Sequence, residues 1–178
     1  MGLGRILCVI VVCVWGFQTA SAQPYRQLTA DDFEGVPRSH TSVITYTNCS
    51  IDFRYQANRQ NGYYRLNFDI TLLLNKDLSW IDRSRVASPE MLAEILKHEQ
   101  GHYTIAYLEQ QELLREVGKT RFGADYQRMA QDIFDRIDAK YQQLNHDYDD
   151  DTAHMTNRVQ QNSWDAYFRK RLEFMPPS

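Results

Sequence analysis

The pattern of apolar and polar residues divides the chain into a sheet-forming part and a helical part. Apolar residues alternate with polar ones along residues 43–57 and again along residues 64–72. A period of two is typical of a half-buried strand. The loop between these segments, residues 58–62, ends in the turn signal Asn61-Gly62. We therefore predict a long antiparallel hairpin with one face on a core and the other in water.

Three helices are predicted after the hairpin. Ser88 and Pro89 form a strong helix start, with serine as the N-cap and proline at the first helical position. This helix should run to about Val117 and end at Gly118, and further helices are expected over residues 124–144 and 152–172. No repeat or linker divides the chain. The predicted fold class is α+β, a small antiparallel sheet followed by a three-helix half in one domain.

The N-terminus has the features of a secretory signal peptide. Arg5 supplies a positive charge, residues 6–17 are apolar, and Ala20-Ser21-Ala22 is a cleavage signal. The apolar run is too short for a membrane span, which needs about 20 residues, and no later segment qualifies. We predict a signal peptide over residues 1–22, one domain over residues 23–178, and a periplasmic or secreted location.

Cysteine content and charge exclude several classes of protein. Two of the 3 cysteines lie in the predicted signal peptide, so the exported chain would keep only Cys49 and have no internal disulfide. Cys49 is expected to be a small buried hydrophobe in a strand, with thiol chemistry as the alternative. The formal net charge of −3 gives no reason to propose nucleic acid or an anionic membrane as a partner.

Residues 98–102 spell H-E-x-x-H, the pattern in which two histidines bind zinc and the glutamate acts as a base. On a helix, His98 and His102 lie one turn apart on one face, and Glu99 lies beside them. The alternative is a solvent-facing charged helix with two incidental histidines. Because apolar residues cover most of the flanking circumference, the helix is predicted to be buried, which favours a metal site.

A catalytic zinc usually has a third protein ligand. Glu109 lies about 10 Å further along the same helix, which is too far from the ion, and Glu112 fails for the same reason. The remaining candidates lie in residues 146–154, which contain two histidines and several aspartates. Spacing leaves His146, His154 and the aspartates open. The alternative for this segment is a solvated acidic loop that caps the third helix.

Four local patterns resemble a family of exported bacterial proteins, the domain of unknown function 922, described as predicted zinc-dependent proteases. They are Asp32-Phe33-x-Gly35 within residues 28–35, Leu78-Ser79-Trp80, the H-E-x-x-H motif, and Tyr148-Asp149-x-x-Thr152-x-His154 followed by Gln161-x-x-Trp164. The resemblance covers nearly all of the exported chain and implies His154 as the third zinc ligand. Family members tend to have glycine after this histidine, where the chain has Met155.

Zinc chemistry assigns further roles. Glu99 is predicted to be the general base, and Tyr148 or Tyr103 could stabilise an oxyanion, although a core tyrosine is the alternative for each. Asp149 or Asp151 could accept a hydrogen bond from a ligand histidine. The predicted metal ligands are thus His98, His102 and His154, with Glu99 and Tyr148 as catalytic residues and Zn²⁺ as cofactor.

Three functions are compatible with this site. The first is an exported zinc metallopeptidase acting on a peptide or protein. The second is a zinc amidase or esterase acting on cell-envelope material. The third is a non-catalytic zinc-binding protein, against which the retained Glu99 counts and for which a fourth protein ligand would count. The sequence names neither the substrate nor the oligomeric state.

Overall fold

A computed structural model describes residues 24–39 and 41–174 of the chain. The predicted signal peptide lies outside these residues. The hairpin consists of strands β2 (Cys49–Gln60) and β3 (Tyr63–Leu74), which pair antiparallel over their whole length. Asn61 and Gly62 form the turn with φ of 51° and 84°, the left-handed conformation that a two-residue hairpin turn requires. The predicted hairpin is confirmed, with a loop of two residues in place of the five expected.

The first predicted strand is interrupted, so its prediction as one element was wrong. Strand β1 (Thr45–Tyr46) pairs antiparallel with the short strand β4 (Trp80–Ile81), and the chain then turns before β2. The Ser79 hydroxyl holds this break, because it accepts a hydrogen bond from the Asn48 amide (2.9 Å) and donates one to the Asn75 carbonyl (2.8 Å). Apolar alternation does not reveal such a change of partner.

Helix α1 (Pro89–Lys119) begins where the sequence predicted, with the Ser88 side chain accepting a hydrogen bond from the Met91 amide. It continues through Gly118, where the prediction had ended it. Gly118 has open space around its α-carbon. The helix therefore continues through Gly118 without a packing contact at that position.

Helix α2 (Tyr126–Thr152) is longer than predicted, and helix α3 (Arg158–Glu173) begins later. The acidic residues 146–151 form the last turns of α2, so their interpretation as a loop capping the third helix was wrong. Two contacts explain the extension. The Gln143 amide donates to Asp147 one turn along the exposed face, and on the buried face Thr152 donates to the Tyr148 carbonyl.

Helix α1 contacts the hairpin and both other helices, and α2 also packs on the hairpin, where Phe134 meets Phe53. One apolar cluster joins these elements, and a second packs the N-terminal segment and β4 against the first half of α1. Gln100 attaches that segment to α1, since its side chain accepts from the Leu28 amide (2.7 Å) and donates to the Tyr25 hydroxyl (2.8 Å). The predicted α+β class is confirmed. Within the described ranges, no helix has an apolar stretch long enough to cross a membrane.

Candidate metal centre

His98 and His102 face each other on α1, one turn apart. Their Nε2 atoms are 3.2 Å apart, and the two rings are perpendicular. Together with Glu99 they form a group whose potential ligand atoms all lie within 4.8 Å of one another. The helical spacing of the motif therefore produces the convergence that the sequence predicted.

Two side-chain amides orient the imidazoles. His98 Nδ1 lies 3.2 Å from Gln161 Oε1 on α3, and His102 Nδ1 lies 2.7 Å from Asn145 Oδ1 on α2. Because an amide oxygen only accepts hydrogen bonds, each Nδ1 carries a proton and each Nε2 is left to bind a cation. Asp151, one of the two aspartates expected in this role, instead accepts a hydrogen bond from Trp164 Nε1 at 3.0 Å.

Asp149 supplies a carboxylate oxygen at the point where the two histidines converge. Its Oδ1 atom lies 3.3 Å from His98 Nε2 and 3.2 Å from His102 Nε2. This oxygen is buried, yet no described residue gives it a well-formed hydrogen bond. Ligand atoms around a tetrahedral zinc, at bond lengths of about 2.0–2.1 Å, are about 3.3 Å apart. The three atoms therefore have the separations of metal ligands.

Spacing in the sequence left the aspartates of residues 146–154 open as ligands, and the choice of His154 over Asp149 followed from the family resemblance. Within α2, Asp149 lies four residues after Asn145, so both side chains project from the same face towards α1. A helix continued through the acidic run would have identified this pair. The signal in the sequence was the four-residue spacing of Asn145 and Asp149, one helical turn apart, beside the buried Tyr148.

Of the two histidines in residues 146–154, His154 lies next to Asp149. His154 Nδ1 lies 3.3 Å from Asp149 Oδ1, while its side chain remains 62% exposed. His146 is an exposed residue at the rim of the adjacent cleft. The backbone of Ala153, His154 and Met155 has positive φ values of 45°, 47° and 76°. A glycine suits the third of these positions because it adopts this conformation without strain.

Glu99 lies beside the histidines and is only 2% exposed. Its Oε2 atom accepts a hydrogen bond of 2.5 Å from the Thr47 hydroxyl. Thr47 belongs to the break between β1 and β2, and nothing in the alternating pattern of the predicted strand distinguished it. The break between β1 and β2 therefore places the Thr47 hydroxyl next to the Glu99 carboxylate.

The electrostatics of the site favour a bound cation. No lysine or arginine of residues 24–39 and 41–174 forms an ion pair with Glu99 or Asp149. Burial raises the pKa of the Asp149 carboxyl, but the imidazoles of His102 and His98 outweigh burial and hold it well below its usual range. Burial lowers the pKa of His102, but Asp149 and Glu99 outweigh burial and raise it to about 9. The carboxylates thus attract positive charge, which a divalent ion would provide.

Tyr148 is fully buried between the helices. Its ring stacks on His98 at 4.8 Å, and its hydroxyl donates to the His98 carbonyl (2.9 Å) and accepts from Gln161 (2.8 Å). Gly101 makes room for it, because a β-carbon there would lie 2.3 Å from the tyrosine ring. This geometry favours the core-tyrosine interpretation, and a catalytic role for Tyr148 stays a prediction. Tyr103 is also buried, and it packs against Tyr25.

A cleft of about 450 Å³ reaches the ligand atoms from one side. Helices α1 and α2 form two of its walls, and residues 46–51 form the third. His102 and Asp149 line it together with Thr47, the hydrogen-bond partner of Glu99. A small molecule or a segment of chain can therefore approach the metal centre through this cleft.

The chain was compared with models of protein families. The model of the family described as "Bacterial protein of unknown function (DUF922)" matches residues 19–155. This range contains the H-E-x-x-H motif, Asp149 and His154, and it ends before Gln161 and Trp164. No curated protein and no solved structure matched the chain.

Proposed function

We propose an exported zinc-dependent hydrolase, acting on peptide bonds, as the function of this chain, which belongs to the bacterial DUF922 family. One observation carries the proposal. A carboxylate oxygen and two imidazole nitrogens converge at metal-ligand separations beside a buried glutamate, at the end of an accessible cleft. The same arrangement would also serve an amidase or an esterase. Cleavage of a peptide bond is therefore the most specific part of the proposal.

The donor set fits zinc. His98, His102 and Asp149 would hold the ion, and His154 would join them from the turn after α2. Imidazole nitrogens with a carboxylate oxygen are a ligand combination typical of catalytic zinc sites. When bound, zinc supplies the acidification of water and the polarisation of a carbonyl group.

The chain's own residues supply the proton transfers. Glu99 is the general base: it takes a proton from the attacking water and delivers it to the leaving amine, so that water is consumed and no charge accumulates. Thr47 fixes one carboxylate oxygen by its hydrogen bond and leaves the other for this transfer. Gln161 and Asn145 keep the histidines in the tautomer that binds metal.

A second candidate function rests on Asp149 and His154 together. If both bind the ion along with the two histidines, four protein ligands fill a tetrahedral site and leave no open position. The protein would then bind zinc for structure or transport. The exposed position of His154 favours the first candidate, because a side chain exposed to solvent can leave the ion when substrate enters.

The test of catalysis uses zinc-loaded full-length protein and a mixed peptide library analysed by mass spectrometry. We expect cleavage by the unchanged protein and a loss on the order of 10² to 10⁴ in rate for Glu99→Gln, with zinc content unchanged. Glu116→Gln, on the same helix outside the site, is the matched control and should retain full activity. Full activity of Glu99→Gln would refute the hydrolase, and loss of its zinc would make Glu99 a ligand.

The coordination number separates the two candidates. Cobalt-substituted protein should change its visible absorption when acetohydroxamate is added, because an open position admits the inhibitor. An unchanged spectrum would support the closed, non-catalytic site.

Export is tested independently of activity. Protein recovered from the cell envelope or the medium should begin at Gln23, as determined by mass spectrometry. An intact Met1 in cytoplasmic protein would refute export.

A further inference from the structure

The cleft beside the metal centre contains a second pair of carboxylates, Glu109 of α1 and Asp138 of α2. Glu109 is only 9% exposed, and its Oε1 atom has no hydrogen-bond partner among the described residues. A buried carboxyl without a partner destabilises a fold by several kcal/mol in its charged form. Such a carboxyl in a cleft is a candidate for binding a group from outside the fold.

Glu112, on the next turn of the same helix, shows how this fold satisfies a carboxylate that serves structure. It accepts hydrogen bonds from Lys140 (2.6 Å) and from the Tyr141 hydroxyl (2.9 Å). No described residue gives Glu109 Oε1 such a partner. Burial, followed by the charge of Asp138, raises the pKa of Glu109 to about 8. The two glutamates differ because Lys140 provides a positive charge to Glu112, and no described residue hydrogen-bonds to Glu109 Oε1.

Apart from its histidines, the described lining of the cleft provides no such charge. None of the described residues that line it is a lysine or an arginine. Its acidic residues are Glu109, Asp138 and Asp149, and its apolar residues include Ile105, Ala106 and Phe134. An apolar lining together with two carboxylates fits the aliphatic stem and the cationic end of a long basic side chain.

The distance from the metal centre fits the same ligand. Glu109 lies seven residues after His102, which is two helical turns on the same face and about 10 Å along the axis. A lysine or arginine side chain extends about 6 Å from its α-carbon. Added to the roughly 4 Å between neighbouring α-carbons of the substrate, this length spans about 10 Å. A substrate residue next to a bond held at the metal centre would therefore place its cationic end near Glu109.

We propose that Glu109 and Asp138 form a specificity subsite for a cationic side chain of the substrate, adjacent to the scissile bond. This inference rests on the proposed hydrolase function and names its substrate class as peptides that carry lysine or arginine beside the cleaved bond. Glu109 binds the cationic end, and Asp138 adds its charge from the opposite wall.

Binding tests the subsite without catalysis. Zinc-loaded Glu99→Gln protein is titrated by calorimetry with two peptides that differ only in one residue, lysine or norleucine. We expect the lysine peptide to bind at least about tenfold more tightly, the typical effect of a hydrogen bond to a charged partner. The preference should vanish when Glu109→Gln is added and persist when Glu116→Gln is added instead. Equal affinity for the two peptides would overturn the subsite.

Asp138→Asn provides an independent test on the other wall of the cleft, and it decides the matter if Glu109→Gln does not fold. It should reduce the preference for lysine severalfold, whereas Asp135→Asn, on the same helix outside the cleft, should not change it. A full preference in Asp138→Asn would overturn its part in the subsite.

Cleavage of the two peptides by the unchanged protein separates the subsite from the hydrolase. Cleavage without a preference for lysine keeps the hydrolase and overturns the subsite. Lysine-dependent binding without cleavage keeps the subsite and refutes the hydrolase. If the protein neither binds nor cleaves the peptides, both the subsite and the hydrolase are overturned.

Discussion

The candidate metal centre is built from two regions that differ in how the backbone positions their side chains. His98, Glu99 and His102 lie in the middle of the 31-residue helix α1, which is packed on both sides. Asp149 and His154 lie where α2 ends and the chain turns through three left-handed residues. The first region depends on helical periodicity alone, whereas the second depends on the exact residue at which a helix stops.

This difference predicts different responses to change. Side chains in the middle of a packed helix are fixed relative to one another, so losing one of them removes a ligand that nothing can replace. A ligand on an exposed turn can move, and Asp149 stays in place without it. The α1 region should therefore control whether metal binds, and the region at the end of α2 should tune how tightly it binds.

The largest expected effect is on zinc affinity. His102→Ala should raise the zinc dissociation constant by more than about 100-fold, because a ligand should matter more than its hydrogen-bond partner. His154→Ala should raise it less, since Asp149 remains beside the two α1 histidines. Competition with a chromophoric chelator measures both constants.

His146→Ala is the control for these variants, because its exposed side chain lies outside the group, and it should bind zinc normally. A larger loss for His154→Ala than for His102→Ala would reverse the ranking of the two regions.

The next effect is on stability and tests the packing of the α1 region. Gly101→Ala should lower the free energy of unfolding by about 3 kcal/mol, since the added methyl group would overlap the buried Tyr148 ring. Urea denaturation measures this change. Gly118→Ala is the matched control in the same helix, where nothing crowds the position, and it should raise stability by up to about 1 kcal/mol. A stabilised Gly101→Ala would show that Tyr148 can move aside.

Smaller effects are expected where the flanking helices orient the histidines. Gln161→Leu and Asn145→Leu should each weaken zinc binding by about 10- to 100-fold, because each removes the acceptor that fixes a histidine tautomer. The same chelator competition measures these changes. Gln160→Leu, an exposed neighbour, should have no effect. Unchanged affinity in both orienting variants would mean that α1 alone holds the histidines.

The sequence predicted the α1 region because one periodicity determines both its burial and the convergence of its histidines. Ser88, Pro89 and the apolar positions around His98 all agree on a buried helix from that point. The hairpin was predictable for a similar reason, since strand alternation and the Asn61-Gly62 turn signal agree.

The rest depended on contacts between elements that are distant in the sequence. Acidic residues after Leu144 resemble a cap, yet the helix continues because Tyr148 and Thr152 are buried and Gln143 donates to Asp147. Thr47 meets Glu99 because β1 changes its partner strand, and Gln161 reaches His98 from a third helix. No local sequence pattern predicts these contacts between distant residues.

The smallest expected effect concerns the strain in the turn after α2. Ala153 is exposed and has φ of 45°, a conformation that costs an L-residue about 1–2 kcal/mol and glycine almost nothing. Ala153→Gly should therefore raise the free energy of unfolding by about 1 kcal/mol, measured by urea denaturation. The same substitution at the exposed Ala139, inside α2, should lower it by about 1 kcal/mol. Changes of opposite sign in the free energy of unfolding would support the difference between a helix interior and a helix end. Loss of stability in both variants would mean that the turn is not left-handed, and that His154 reaches Asp149 by another route.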